Sequence, residues 1–163
     1  MIMKNRLFIA LILGIFISTC FTLDSFAQEK VNIYDTEIDG LVQIKQAVKE
    51  AKSEGKHVFI QLGGNWCPWC VLFHKFCNEE AEVMEILEKS YVTIKLNYSP
   101  ENKNEAATKL LENPGRFGYP VFVILDSDGK RIHTQNSAYL EEGKGYSKKE
   151  VLDFLKAWAP GSY

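Results

Sequence analysis

The chain has 163 residues, of which 46% are hydrophobic and 12% aromatic. This length and composition predict one domain with a substantial core and are too small for two domains of ordinary size. Basic and acidic residues number 19 and 21, and no block of like charge occurs along the sequence. The charge pattern therefore gives no reason to expect nucleic-acid binding.

The first segment differs from the rest of the chain. Lys4 and Arg6 precede an apolar run over 7–17, and Ser25 to Ala27 place small residues at a cleavable spacing. This pattern predicts a secretory signal peptide over 1–27, followed by one mature domain over 28–163. The run is shorter than the roughly 20 apolar residues that cross a bilayer, which disfavours a permanent transmembrane helix.

Lipid attachment is an alternative fate for the exported chain. Residues 17–19, which precede Cys20, loosely resemble a bacterial lipoprotein signal, although such signals normally have Gly, Ala or Ser where Thr19 stands. We therefore expect an exported, periplasmic or otherwise extracytoplasmic protein that is either cleaved after Ala27 or anchored at Cys20.

The first half of the domain alternates between helical and strand patterns. Apolar residues at three- and four-residue spacing predict helices, and short runs rich in β-branched and aromatic residues predict buried strands. The elements predicted are a helix over 41–53 stopped by Gly55, a strand from His57 to Leu62 ended by Gly63 and Gly64, a long helix from Cys67 to about Lys89, and a strand from Tyr91 to Asn97.

The second half adds two helices and a hairpin. Ser99 and Pro100 predict the cap and first residue of a helix that stops before Asn113. Strands over 121–125 and 130–135 flank a short turn, which predicts an antiparallel hairpin. Ser147 and Glu150 predict a capping box for a last helix, with a buried face formed by Val151, Leu152, Phe154, Leu155 and Trp158. The order predicts an α/β fold, with a mixed central sheet and helices on both faces.

Two cysteines lie where the first strand gives way to a helix, in Trp66-Cys67-Pro68-Trp69-Cys70. Cysteines three residues apart on a first helical turn can form a disulfide, and Pro68 suits the first helical position. Cys67 would then be the N-cap, where the helix dipole lowers the pKa of its thiol. We expect Cys67 to be the attacking nucleophile and Cys70, one turn deeper, to resolve the mixed disulfide.

Residues 31–160 resemble the thioredoxin superfamily. Besides the cysteine motif, Lys95-Leu96-Asn97 is similar to the strand beneath the active site of thioredoxins, and Gly118-Tyr119-Pro120 is similar to their cis-proline loop. The resemblance implies a thioredoxin fold that ends in a β-hairpin and a helix. It also implies a cis Pro120 against the cysteine pair, Trp66 at the mouth of the site and a Tyr119 backbone that pairs with an extended substrate. The alternative for Pro120 is an ordinary trans proline at the start of a strand.

The sequence departs from the family pattern at Gln61. Thioredoxins have a buried aspartate six residues before the first cysteine, and an amide cannot accept a proton as a carboxylate does. Deprotonation of Cys70 would then depend on water or on a nearby group such as Lys95, which is otherwise a solvated residue at a strand end. The central dipeptide is Pro68-Trp69 where thioredoxins have Gly-Pro, so the potential of the pair cannot be transferred from thioredoxin.

Other candidate residues have plainer interpretations. Cys77 is predicted to be a small buried hydrophobe, with a third, regulatory thiol as the alternative. His74 is predicted to be a helix-surface residue, because it lies far from Cys67 along the helix. Cysteines ten residues apart on one helix cannot surround one ion, so no metal site is expected. Trp69 could either contact substrate or pack, and the Cys67–Cys70 pair could also be a purely structural disulfide.

The sequence therefore predicts an exported thiol-disulfide oxidoreductase that needs no cofactor beyond its Cys67–Cys70 pair. The resemblance favours a reductase of protein disulfides, supplied with electrons by a membrane protein. No exposed apolar stripe indicates a dimer, so a monomer is expected. The alternative is a thioredoxin-fold binding or chaperone-like module without turnover, which the missing acid at Gln61 favours.

Overall fold

The structure, a computed structural model, describes residues 31–161. The predicted signal peptide and Cys20 lie outside these residues. The helices are α1 (Gly40–Glu54), α2 (Pro68–Glu79), α3 (Ala81–Ser90), α4 (Glu105–Leu110) and α5 (Lys148–Ala157), with short 3-10 helices at Pro114–Phe117 and Ser137–Leu140. The strands are β1 (His57–Gly63), β2 (Tyr91–Asn97), β3 (Val121–Leu125), β4 (Arg131–Asn136), β5 (Glu141–Glu142) and β6 (Gly145–Tyr146).

Four strands form a mixed sheet in the order β2-β1-β3-β4. β1 pairs in parallel with β2 and antiparallel with β3, and β3 forms an antiparallel hairpin with β4. The predicted mixed sheet and closing hairpin are confirmed. β5 and β6 form a separate two-stranded ribbon that the sequence did not suggest.

The two faces of the sheet carry different cores. Val58, Ile60 and Leu62 of β1 point to an aliphatic layer, which includes Ile44 and Ala51 of α1. The opposite face is largely aromatic and is covered by α2, α3 and α5. It contains Phe59, Phe73, Phe122 and Phe154, of which Phe73 and Phe122 have ring centroids 4.3 Å apart. Helices on both faces were predicted, and this is confirmed.

The single long helix predicted from Cys67 to about Lys89 is wrong. Glu80 has an extended backbone, with φ −98° and ψ 97°, and it ends α2 and begins α3. Its side chain and that of Glu82 pair with Lys148 of α5, at 3.2 and 2.6 Å, and so link the start of α3 to α5. Apolar spacing is unchanged across the break, so periodicity could not reveal it.

The helix predicted to begin at Ser99 and Pro100 is also wrong, because α4 begins only at Glu105. The Ser99 hydroxyl accepts hydrogen bonds from the Asn97 side chain and the Asn102 backbone, at 3.2 and 3.3 Å, and so stabilises a local turn. The Asn102 side chain then donates to the backbone carbonyls of Thr36 and Ile38, at 2.9 and 3.0 Å. The loop ties the segment before α1 to the end of β2.

At the last helix, Ser147 is the N-cap residue as predicted, but its side chain makes no capping hydrogen bond. The predicted capping box is therefore wrong in its bonding, although the helix start is right. Val151, Leu152, Phe154 and Leu155 are buried, and Trp158 packs beyond the helix end against His133. Within 31–161, no helix has the length and apolar character needed to cross a membrane.

Candidate active site

The cysteine pair lies at the junction of β1 and α2. A turn follows β1, in which the Cys67 N–H donates to the Gly64 carbonyl at 3.0 Å. Cys67 is the N-cap of α2 and Pro68 occupies its first position, as the sequence predicted. The two cysteines form a disulfide, with their Cα atoms 5.2 Å apart. The Cys70 N–H also points to the Cys67 Sγ, at 3.2 Å.

Both members of the pair are buried. Cys67 is 3% exposed and Cys70 is fully buried. Tyr34 is buried with them, and Ile33 and Tyr119 pack against the same cluster. Cys70 is the deeper cysteine, as expected, but the segment that precedes α1 covers Cys67 as well. Sequence reasoning missed this cover.

Asn65 holds that covering segment in place. Its Oδ1 accepts hydrogen bonds from the backbone N–H groups of Ile33 and Tyr34, at 2.8 and 2.9 Å. Its Nδ2 donates to the Tyr34 carbonyl at 2.8 Å. One side chain therefore makes three hydrogen bonds to a backbone more than 30 residues away in sequence, and it does so two positions before Cys67.

Gly63 permits the close packing around Cys70. A Cβ on Gly63 would lie 2.9 Å from the Tyr34 hydroxyl and would collide with the Cys70 Sγ. Real Cβ atoms do not approach other heavy atoms so closely, because such contacts are strongly repulsive. A glycine is needed here for space, and the position accepts no side chain without displacing one of these two atoms.

Gln61 lies beneath the pair and is 3% exposed. Its Nε2 donates a hydrogen bond to the Cys70 carbonyl at 2.9 Å. The amide therefore fixes the backbone of Cys70. It cannot accept a proton from the Cys70 thiol as a carboxylate at this position would. Gln61, which stands where thioredoxins have an aspartate, therefore stabilises the first turn of α2.

Three aromatic side chains, Trp66, Tyr98 and Tyr119, form a shelf beside the pair. Trp66 is 49% exposed although its Nε1 donates to the Tyr98 carbonyl at 2.7 Å. Its ring meets the Tyr119 ring edge-on at 5.4 Å, and Tyr119 stacks on Tyr98 at 5.3 Å. The peptide bond between Tyr119 and Pro120 is cis. Tyr98 was not singled out in the sequence, where only its position after β2 could have drawn attention to it.

Trp69, left undecided by the sequence, packs inside the domain. Its ring meets the Tyr146 ring edge-on at 5.6 Å, and its carbonyl accepts a hydrogen bond from the Tyr146 hydroxyl at 3.2 Å. The two tryptophans of the motif therefore differ. Trp66 faces outward on the aromatic shelf, and Trp69 anchors α2 to β6.

Lys95 is associated with the far end of α2. Burial and, to a smaller extent, the positive charge of Lys95 lower the pKa of His74, and burial lowers the pKa of Lys95 itself. Burial raises the pKa of the Cys77 thiol to about 12, and the charge of Lys95 opposes this rise. Across 31–161, no group of three or more His, Cys, Asp or Glu residues could hold a metal ion.

Residues 30–159 match the family model Thioredox_DsbH, which is described as "Protein of unknown function, DUF255". The chain is also similar to proteins named thiol:disulfide interchange protein DsbD. It is 26% identical to the Colwellia psychrerythraea protein over 101 residues, covering 62% of this chain and 16% of that protein. It is 28% identical to the Escherichia coli strain K12 protein over 104 residues, covering 64% of this chain and 18% of that protein. The chain spans less than a fifth of these relatives.

Two solved structures have the same fold. One, described as a disulphide isomerase from Xylella fastidiosa Temecula1, has a TM-score of 0.67 and 24% identity, covering 77% of this chain and 95% of that chain. The other, a thioredoxin from Thermus thermophilus, has a TM-score of 0.51 and 20% identity, covering 69% and 80%. The fold implied by the sequence resemblance is confirmed.

Proposed function

Because the chain belongs to the Thioredox_DsbH family, within the thioredoxin superfamily, we propose that it is an extracytoplasmic thiol-disulfide oxidoreductase that reduces protein disulfides through Cys67 and Cys70. One observation carries the proposal. Cys67 caps α2, accepts a hydrogen bond from the Cys70 N–H at 3.2 Å and is bonded to the Cys70 sulfur. A thiolate at this position faces the positive end of a helix dipole, which stabilises its charge.

The first step is attack by the Cys67 thiolate on a substrate disulfide. A bond forms between the Cys67 Sγ and one substrate sulfur, while the substrate S–S bond breaks. The other substrate sulfur leaves as a thiolate and takes a proton from water. The Cys70 N–H and the helix N-terminus hold Cys67 as the anion that this step requires.

The second step releases the substrate. The Cys70 thiol gives its proton to solvent, and its thiolate attacks the Cys67 Sγ. The Cys67–Cys70 disulfide forms, and the remaining substrate sulfur leaves as a thiolate that is protonated by water. The substrate gains two electrons and two protons, and the pair is oxidised to the disulfide present in the structure.

The aromatic shelf is suited to substrate binding. Trp66 exposes about half of its surface beside the pair, although its N–H is already paired with protein. An exposed ring whose polar atom is satisfied offers apolar contact area at little cost in hydrogen bonding. We place an extended substrate segment against Trp66 and Tyr119, with the backbone of Tyr119 next to the cis Pro120 pairing with it.

The extracytoplasmic location and the direction of electron flow rest on the sequence. The charged start, the apolar run and the small residues that end at Ala27 have the pattern of an export signal over 1–27. A reductase outside the cytoplasm needs an electron source, and we propose a membrane thiol-disulfide protein as the donor. The relatives named thiol:disulfide interchange proteins are consistent with exchange between proteins.

Reduction of insulin with dithiothreitol as electron source tests the proposal. The chain should accelerate the appearance of turbidity over the reagent alone, and Cys67→Ser should abolish the acceleration because it removes the nucleophile. Cys77→Ser is the matched control and should retain it. Equal rates with and without the protein, or an active Cys67→Ser variant, would contradict an oxidoreductase.

A binding module without turnover is the second candidate. It is favoured by Gln61, which replaces the buried acid, and by the near-complete burial of Cys67 under Tyr34. Such a module would suppress the aggregation of unfolded protein equally well with Cys67 or Ser at position 67. The insulin assay and an aggregation assay on the same two proteins separate the candidates.

A further inference from the structure

The Tyr34 hydroxyl is the most unusual polar group near the cysteine pair. Tyr34 is 3% exposed, and its hydroxyl has no hydrogen-bond partner among the described residues. The Gln61 side chain is near enough to lower the pKa of the Tyr34 phenol against the larger effect of burial, but its Nε2 donates to the Cys70 carbonyl at 2.9 Å and makes no hydrogen bond of normal geometry to the hydroxyl. A buried hydroxyl without a partner is costly, so its retention calls for an explanation.

The hydroxyl lies in the same small space as the Cys70 sulfur. It lies 2.9 Å from the point where a Cβ on Gly63 would stand, and the Cys70 Sγ is closer still to that same point. The two atoms therefore converge above a residue that has no side chain. Asn65 fixes the Tyr34 backbone with three hydrogen bonds, so the ring is held in this position from the other side.

The oxidation state of the pair explains the missing partner. In the structure the Cys70 sulfur is bonded to Cys67, and a disulfide sulfur is a poor acceptor. When the pair is reduced, Cys70 becomes a thiol or thiolate, and a thiolate accepts charge-assisted hydrogen bonds strongly. The hydroxyl would then gain the acceptor that it lacks in the oxidised protein.

We propose that Tyr34 is a positioning residue whose hydroxyl donates a hydrogen bond to the Cys70 thiolate in the reduced protein. The hydroxyl neither gains nor loses a proton, and the proton of Cys70 leaves to solvent. The bond stabilises the thiolate that attacks the Cys67 mixed disulfide. It thus compensates in part for the carboxylate that Gln61 replaces, and it favours the reduced pair over the disulfide.

Tyr34→Phe isolates the hydroxyl, because the ring still fills its place. The pKa of Cys70 is followed by NMR titration of its Cβ in labelled, reduced protein, in a Cys67→Ser background so that one sulfur of the pair titrates. We expect Tyr34→Phe to make the Cys70 thiol about tenfold less acidic, as the loss of one hydrogen bond to an anion implies. The other groups that face this cluster are the same with and without Tyr34→Phe; they are Tyr119, Tyr146 and the serine substituted at position 67. An unchanged Cys70 titration would overturn the proposal.

The redox equilibrium with glutathione gives a second measurement, made on the parent and Tyr34→Phe with Cys67 present. The variant should favour the disulfide more than the parent does, by several-fold and roughly tenfold at most. Tyr91→Phe is the matched control, since it removes a buried hydroxyl that bonds the Leu155 carbonyl at 2.6 Å far from the pair. It should lower stability and leave the equilibrium unchanged. A shift of equal size in both variants would also overturn the proposal.

Asn65→Ala tests whether the hydroxyl must be held in place. It should move the Cys70 titration in the same direction as Tyr34→Phe, and the double variant should add little to either. Full additivity would mean that the two residues act separately and would contradict the proposal. The role of Tyr34 rests on the proposed function, but the Cys70 titration needs no substrate. An inactive protein with a shifted titration would therefore refute the proposed function alone.

Discussion

α2 carries a cysteine near each of its ends, and the two cysteines lie in different surroundings. At its N-terminus, Cys67 accepts a backbone N–H and is joined to Cys70. Near its C-terminus, Cys77 is a free thiol that packs beside the aromatic core. Burial raises the pKa of Cys77 to about 12, although Lys95 lowers it. Position on the helix therefore distinguishes the two cysteines, since Cys67 is no more exposed than Cys77.

Backbone groups stabilise a thiolate at the N-terminus of α2, whereas a charged side chain does so near its C-terminus. The N-terminus stabilises an anion through N–H groups that are fixed before any reaction occurs. At the other end the favourable charge is that of Lys95, which is half-buried, and burial also lowers the pKa of that lysine. A cation that is itself costly to bury gives less help to a neighbouring thiolate than the preorganised end of a helix does.

The largest expected effect comes from removing one cysteine from either end. Cys70→Ser leaves Cys67 able to attack but nothing to resolve the product, so mixed disulfides should persist about 100-fold longer or more. Cys77→Ser should trap no partner, because Cys70 is still present to resolve the mixed disulfide on Cys67. Mass spectrometry of proteins captured by the two variants makes the comparison. If the Cys77→Ser variant also trapped partners, Cys77 would be needed to resolve the mixed disulfide, and both ends of α2 would take part in exchange.

The next effect concerns the packing behind Cys70. Gly63→Ala places a methyl group against the Cys70 Sγ and the Tyr34 hydroxyl, and should lower the free energy of unfolding by about 1–3 kcal/mol. Gly145→Ala is the matched control, since nothing lies within 4 Å of its Cβ position, and it should change stability by less than about 0.5 kcal/mol. Denaturant unfolding measures both. Equal free energies of unfolding for the two variants would mean that the N-terminal end of α2 is loosely packed around Cys70.

The sequence predicted the parts of the site that depend on neighbours in the chain. The strand, the turn and the capped helix that present Cys67 and Cys70 span only 23 residues, and each has a local signature such as Gly63 or Pro68. The mixed sheet followed from the order of the elements and from the short hairpin turn. These features need no knowledge of what packs against them.

The parts that were missed depend on distant contacts. Nothing in the local pattern around Asn65 shows that its amide bonds a backbone 31 residues earlier. The same is true of Asn102, which bonds the Ile38 carbonyl across 64 residues and draws Ser99 into a turn. Glu80, which separates α2 from α3, pairs with a lysine on α5 that lies 68 residues later in the chain. In each case the departure from the local pattern comes with a tertiary hydrogen bond or ion pair that the pattern does not encode.

A smaller effect is expected from opening the cover over Cys67. Asn65→Ala removes three hydrogen bonds to Ile33 and Tyr34 and should let dithiothreitol reduce the disulfide faster, by roughly tenfold at most. Asn78→Ala, at the Cys77 end of α2, removes only a contact with His74 and should leave the rate unchanged. The rate is measured by alkylation after timed reduction. An unchanged rate in the Asn65→Ala variant would show that the segment does not limit access.

The smallest effect is a pH dependence that belongs to the Cys77 end alone. The thiol of Cys77 has a pKa of about 12 in the folded chain against 9.0 when unperturbed. Between these values the unfolded chain loses a proton that the folded chain keeps, so the free energy of unfolding falls as pH rises. Cys77→Ala should therefore lose about 1 kcal/mol less stability than the parent between about pH 8 and pH 10. Tyr34 and Tyr91 also have raised pKa values and contribute equally to both proteins, whereas a small part of the rise in the pKa of Tyr146 comes from Cys77 and is absent in the variant. Because the disulfide-bonded cysteines do not titrate, parallel stability curves would show that Cys77 is as well solvated as a free thiol.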